Sequence, residues 1–274
     1  MELKALLAMQ FALPSIPKVV ALLLSELGRE PADLLKITQL VSSDPALTTR
    51  LLRIANTDAF GMAGQISSLS EALALLSMNQ VKSMALEAAS GATLKAVPGI
   101  HLQQFWRYSL NVAKLARSLA GVVRLNQQAA YTCGLIHAIG ELAIHIGMPQ
   151  QVALLDSVIP TLDLARANAE RQSFGFCYAQ VGSGLAARWQ FPQPMVDALE
   201  YQYAPFDNNA YEPLAGVIHL ATWRIRAKEA DLSDRGLAVT FPGAVGEMLG
   251  LDIDMVLQQD PFDWLVPVSA HAPL

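Results

Sequence analysis

The chain has 274 residues, enough for one large domain or two small ones with a sizeable core. Hydrophobic residues make up 53% and charged residues only 16%, an apolar balance that predicts broad buried helical faces. Against 24 Asp and Glu stand 19 Lys and Arg, a net charge of −5 without a basic run, which excludes the electrostatic footprint of a nucleic-acid binder.

The opening residues, MELKALLAMQFALPSIP, imitate a signal peptide. Glu2 stands in the would-be basic segment, however, and no A-x-A cleavage pattern follows. Further on, Pro31 predicts a helix start with Leu34, Ile37 and Val41 on one face. Asp44-Pro45 is a stronger start, an N-cap carboxylate followed by proline in the first turn. Leu47, Leu51, Ile54 and Ala55 then make an apolar stripe at helical spacing. Ser68 and Glu71 form a capping box that opens the next helix. The bend at Lys95-Ala96-Val97-Pro98-Gly99 is the best internal boundary.

Beyond it, His101 to Gly121 reads as one long helix and Gln127 to Ile136 as another. Phe176–Trp189, Pro192–Tyr201 and Pro213–Lys228 are further candidates, each bounded by Gly or Pro. AVTFP, around Val239, is the best strand candidate in the chain. After Asp231 the pattern weakens, and DPFDWLVPVSAHAPL reads as a tail whose Trp264 packs back on the domain or inserts into a partner. No stretch of about 18 apolar residues is free of charge and proline, so no membrane span is expected.

Chemistry-bearing residues are sparse. Cys133 and Cys177 are the only cysteines and form no CxxC, which fits reduced thiols in a cytoplasmic protein. Around GLIHAIGE, Cys133, His137, Glu141 and His145 recur at every fourth position, so adjacent pairs on one helix face could share a zinc ion. Gly140 is expected to interrupt that helix. The preferred reading makes Cys133 a small core residue and His137 a core histidine bonded to a backbone carbonyl. Cys177 has no nearby His, and no GxSxG elbow is present. The Gly-Ser-Gly of VGSGLAAR lacks the Gly-Lys-Ser/Thr of a phosphate loop and reads as close helix packing.

LPSIPKVV, SSDPALTTRLLRIAN and ISSLSEALALL together resemble the HDOD family, the HD-related output domains of bacterial signalling. The resemblance continues through FWRYSLNVAKLA, GLIHAIGE, FCYAQVGSGLAARW and GVIHLATW. It implies an all-α fold in which an N-terminal HDOD-type helical bundle packs on a degenerate HD-like helical core. On that reading residues 1–96 form the first subdomain, 97–230 the HD-like subdomain and 231–274 a C-terminal extension.

The metal-ligand positions of HD phosphohydrolases fall, by this resemblance, on Tyr108, His137, Ala138, Tyr178, Gln202, Tyr203 and Thr222. Only His137 keeps a metal-binding side chain, and one imidazole cannot assemble a site that needs several converging ligands. Glu141 stands where a basic residue often follows, and its charge is expected to repel phosphate. No metal, cofactor or catalysis is therefore expected. The aromatic and amide replacements are expected to fill the old cleft, or to hold a nucleotide or cyclic dinucleotide without hydrolysing it. In RLLRIANTD, Arg50, Arg53, Asn56 and Asp58 offer either a solvated face with internal ion pairs or a contact surface; Asn56 could instead cap its helix. The leading expectation is a regulator acting by contact with other signalling proteins; the alternative is a small-ligand sensor. No receiver, cyclase or phosphodiesterase domain is recognisable, so input and output are expected through partners or ligand.

Overall fold

In a computed structural model, which describes residues 1–91, 96–207 and 211–260, every regular element is helical. The short helix α1 (Leu3–Ala8) precedes a bundle of α2 (Pro17–Leu27), α3 (Leu34–Val41), α4 (Pro45–Ala55), α5 (Leu69–Leu75) and α6 (Met78–Gly91). A second group follows, with α7 (Leu102–Val122), α8 (Gln127–Ile136), α9 (Ile139–Gly147), α10 (Pro149–Asp156) and α11 (Arg166–Phe174). It continues through α12 (Tyr178–Arg188), α13 (Gln193–Tyr201) and α14 (Pro213–Glu229), and ends in α15 (Asp234–Thr240), α16 (Gly243–Leu249) and α17 (Ile253–Gln258).

Local chemistry sets the helix starts. The buried Asp44 carboxylate accepts from Ala46 N–H at 2.8 Å and Leu47 N–H at 2.9 Å, and also holds Ile16 N–H from the chain entering α2. Ser68 and Glu71 complete both halves of their capping box. The third helix begins later than Pro31 predicts, because the Asp33 carboxylate takes the N–H groups of Leu35 and Lys36. Leu34 consequently sits 60% exposed, while Ile37 and Val41 are buried.

AVTFP is not a strand. Ser233 caps α15 through Gly236 N–H, and the segment ends that helix, with Phe241 edge-on to Trp223 at 5.3 Å between ring centroids. The weak pattern after Asp231 is therefore three short helices, and Arg224 on α14 reaches Asp260 beyond them at 2.6 Å. Trp264 lies outside the described residues.

One apolar core runs from Leu13 to Val256 through both helical groups, with α4 against α7 and α8 at their junction. The Tyr131 hydroxyl on α8 reinforces the junction by donating to Ser42 O at 2.8 Å. A smaller core gathers Leu6, Ala143, Ile144, Phe176 and Tyr178, so α1 packs on α9 and α12 rather than with the bundle that follows it. There Leu7 lies over Gly184, where an added Cβ would come within 2.5 Å of Leu7 Cδ1. Arg188 donates to the carbonyls of Leu7 and Met9 and fixes α1 in place.

The apolar segment Gln127–Gly147 is long enough to cross a bilayer, but 89% of its most apolar window is buried inside the fold. It is two core helices meeting at a turn over His137 and Ala138. The interruption expected at Gly140 thus falls earlier, and Gly140 lies within α9. An added Cβ there would sit 2.0 Å from Tyr178 O and 2.8 Å from Gly182 N. Glycine is needed because two helix backbones touch.

Candidate functional site

The turn between α8 and α9 delivers His137 into the interior, where it has no exposed surface. Its Nδ1 lies 2.7 Å from Gly134 O, and a carbonyl can only accept, so Nδ1 carries the proton. Nε2 then accepts from the Tyr108 hydroxyl at 3.0 Å. The Tyr108 oxygen in turn accepts from Arg226 Nε at 3.0 Å. Arg226 on α14 also donates through Nη1 to Asp163 O at 2.7 Å and lies over the rings of Tyr178 and Tyr108, at 5.2 and 5.8 Å. The polar side of this core is a one-way relay, Arg226 to Tyr108 to His137 to Gly134.

Its consequence for metal chemistry is direct. Both His137 nitrogens are engaged within the protein, so the one imidazole among the seven expected positions has no lone pair free for a metal. Ala138 offers no ligand atom, and burial pushes the Tyr108 and Tyr178 phenols upward, so both stay protonated. Burial raises the Cys133 and Cys177 thiols as well, which leaves neither as a ready thiolate. The residues present do not fit a divalent ion.

Burial pulls His137 down to about 3, against the Gly134 hydrogen bond that favours its charged form. The folded protein therefore keeps this imidazole neutral where the unfolded chain protonates it. The stabilisation is fully present above the unfolded pKa of about 6.5 and is lost as pH falls through the window toward about 3. By pH 4 the loss reaches on the order of 3 kcal/mol. Urea denaturation of wild type and His137→Gln at pH 7 and pH 4 checks it: the wild type should lose that much more than the variant. Equal acid sensitivity would refute the assignment.

Beside the relay a cleft of about 250 Å³ remains. Tyr178, Gln202, Tyr203 and Thr222 all line it, together with His219 and Arg226. Tyr108, Tyr178 and Gln202 are buried, as replacements that fill the cavity should be, and a cleft still remains beside them. Gln202 is held by two donations from Nε2, to His137 O at 3.0 Å and Leu199 O at 2.8 Å, while its Oε1 has no partner. Thr222 Oγ1 is close to the Tyr108 phenol without a hydrogen bond of normal geometry, and Arg226 Nη2 is also unpartnered. His219 donates from Nδ1 to Gln202 O at 2.7 Å, which leaves Nε2 as an acceptor. Tyr203 is tied to Asn168 through its hydroxyl, and Arg171 lies over its ring at 5.6 Å.

Glu141 plays a different part from the one expected. It does not line the cleft but is buried in α9, 3.7 Å from Arg166 Nε and 3.9 Å from His145 Nδ1. Burial and the neighbouring Glu170 push its pKa well up, and it does not face the cleft where a phosphate would sit. Arg166 is the centre of this second cluster. It reaches Glu170 Oε1 at 2.8 Å, Asp156 Oδ1 at 2.7 Å and Ile159 O at 2.9 Å. Glu170 also accepts Tyr178 N–H at 2.7 Å, which secures the first turn of α12 beside the cleft.

The four polar residues of RLLRIANTD separate. Asn56 has no exposed surface: its amide donates to Leu52 O and Ile66 O and accepts from Ile66 N–H, so it clips a loop and cannot meet a partner. Arg50 is half-buried and donates to Leu13 O at 2.8 Å and Ser15 Oγ at 3.1 Å. Arg53 and Asp58 are exposed, Asp58 lying 3.4 Å from Gln190 Nε2. The residues that sequence reasoning missed are Arg226, which joins relay to cleft, and Arg166 with Glu170.

Comparison with known proteins follows the same outline. The family model of the HDOD domain matches residues 13–205. A protein of Treponema pallidum without an assigned role is 24% identical over 219 residues, 78% of this chain but 42% of its own length. The chain thus spans less than half of that curated relative. Among solved structures, the MmoQ response regulator of Methylococcus capsulatus is similar at a TM-score of 0.71 and 23% identity, covering 92% of this chain and 98% of its own. A virulence factor of Campylobacter jejuni gives a TM-score of 0.67 at 18% identity, over 94% of this chain and 97% of its own. At these identities the likeness establishes the helical fold.

Proposed function

This chain belongs to the HDOD family, and from that premise we propose that it is a non-catalytic regulator in bacterial signal transduction, working by contact with other signalling proteins in the cytoplasm. The observation that carries this reading is the closed hydrogen bonding of His137. A hydrolytic centre of the HD type needs several ligands and a metal-bound water of lowered pKa. Here the histidine is spent on Tyr108 and Gly134, and its neighbours are phenols, an amide and a hydroxyl. The similarity to a protein named a response regulator supports the signalling half of the reading.

Assays with Mn²⁺, Mg²⁺ or Fe²⁺ on cyclic dinucleotides and phosphomonoesters should give turnover no higher than metal-only blanks. Robust turnover lost in His137→Ala would overturn the reading. For the contact half, Arg53 and Asp58 are the polar candidates left at the surface. A protein that co-purifies with the wild type and is released by Arg53→Ala with Asp58→Ala would support it.

A second reading, a small-ligand sensor, is favoured by one observation: the cleft beside the relay retains unpartnered polar atoms.

A further inference from the structure

We infer that this cleft binds a small oxyanion, a carboxylate or phosphate, on a molecule that also carries a hydroxyl, with Arg226 as the anion's partner. The inference rests on the ligand-sensor reading alone and is independent of the contact reading.

Arg226 carries the argument. Its side chain is buried at 3% exposure, and a guanidinium stays charged at any ordinary pH. Among the described residues no carboxylate forms an ion pair with it; it has a phenol oxygen, a backbone carbonyl and two aromatic faces. The nearby Glu141 is engaged elsewhere, 3.7 Å from Arg166 Nε, and forms no ion pair with Arg226. A buried cation without a counter-ion is costly, and Nη2 is left without an acceptor on a side chain that lines an open cleft. A ligand oxyanion resolves both deficits with a charge-assisted hydrogen bond.

The neighbouring groups define the rest of the molecule. Thr222, on the same helix one turn earlier, is 8% exposed, and its hydroxyl can donate to a second oxygen of the same anion. Gln202 is 2% exposed and lines the cleft; its amide nitrogen is fixed by two carbonyls, so the unpartnered Oε1 is available as an acceptor only. His219 Nε2 is likewise an acceptor. Two acceptors beside an anion site call for hydroxyl hydrogens on the ligand, not for a second negative charge. Leu164 and Thr240, which also line the cleft, are exposed, so it reaches solvent. At about 250 Å³ it lies below the roughly 300–1,000 Å³ of drug-sized sites. One sugar phosphate or sugar acid is of the right scale; the two joined nucleotides of a cyclic dinucleotide are not.

Isothermal titration and thermal shift on the full chain test this, with ribose 5-phosphate and gluconate as probes and ribose as the uncharged control. One or both oxyanions should raise Tm saturably, and ribose should not. A response to the first alone assigns a phosphate, and to the second alone a carboxylate. Arg226→Met should weaken binding about 10- to 100-fold, and Thr222→Val roughly 2- to 10-fold. If the Arg226 variant fails to fold, Thr222→Val decides, because that hydroxyl makes no bond of normal geometry for folding to lose. No saturable response to either oxyanion, an equal response to ribose, or unchanged affinity in Thr222→Val would overturn the inference. Each of these leaves partner release by the Arg53 and Asp58 substitutions untouched, so the two readings fail separately.

Discussion

Arg166→Met is expected to lower folding stability by about 3–5 kcal/mol, read from the shift in urea midpoint. The side chain has no exposed surface and lies within ion-pair distance of three acidic groups, Glu141, Asp156 and Glu170. Its removal leaves Glu170, itself fully buried, without its ion-pair partner and with the Tyr178 N–H as the hydrogen bond that remains to it. Asp156, at 19% exposure, can turn partly to solvent and to His145, 3.2 Å away, so it contributes less. Glu141 is the most distant of the three at 3.7 Å, and burial together with Glu170 pushes its carboxyl upward, so it adds less. Most of the loss therefore belongs to the Arg166–Glu170 pair. The damage should also reach the cleft, since Glu170 positions the first turn of α12 and with it Tyr178. A loss below about 1 kcal/mol would place the pair among weak surface-like bridges and refute this account.

Gly140→Ala is expected to cost more than about 3 kcal/mol, although it adds a single methyl group. The atoms that methyl would strike, Tyr178 O and Gly182 N, belong to the backbone of α12. No rotamer change relieves the clash, so α9 and α12 must separate and lose their shared burial. Helix propensity works the other way, favouring alanine by up to about 1 kcal/mol, which makes the sign of the result informative. A variant as stable as wild type in urea would mean that the two helices are not in backbone contact. Loss of native near-ultraviolet circular dichroism at the lower midpoint would accompany the expected result.

Much of the architecture is legible in the sequence because helix starts are local events. Asp44 and Ser68 cap where their spacing to the next N–H groups says they must. Pro31 misleads because the decisive cap, Asp33, lies two residues further on and acts through a side chain. The site is partly legible as well: the family resemblance names Tyr108, His137, Tyr178, Gln202, Tyr203 and Thr222, and these do converge. Arg226 was also within reach. It follows His219 and Thr222 at helical spacing on one face of α14, so placing Thr222 in the site implies Arg226 beside it.

Other features depend on partners far along the chain. Arg166 and Glu170 stand four apart, a pattern that is usually a solvated helix pair, and nothing nearby signals that both are interior. Asn56 reads as a contact or capping residue, and its burial shows only where the Ile66 backbone closes on it from ten residues away. Glu141 shares a four-residue rhythm with His137, but the turn at Ala138 rotates the two onto different clusters.

The docking of α1 bears on the order of assembly. Its anchor, Arg188, is 181 residues from Leu7, so a ribosome delivers the helix long before its receptor surface exists. Loop closure over that span is among the costlier steps available to this chain. The bundle of α2 to α6 can assemble from neighbouring segments, whereas α1 must wait until α9 and α12 have met across Gly140. Its amides are then expected to exchange with solvent ahead of those of α9 and α12. When α1 opens, Leu6 and the apolar patch around Phe176 come into water together, which ties the exposure of a sticky surface to the state of the chain's first eight residues.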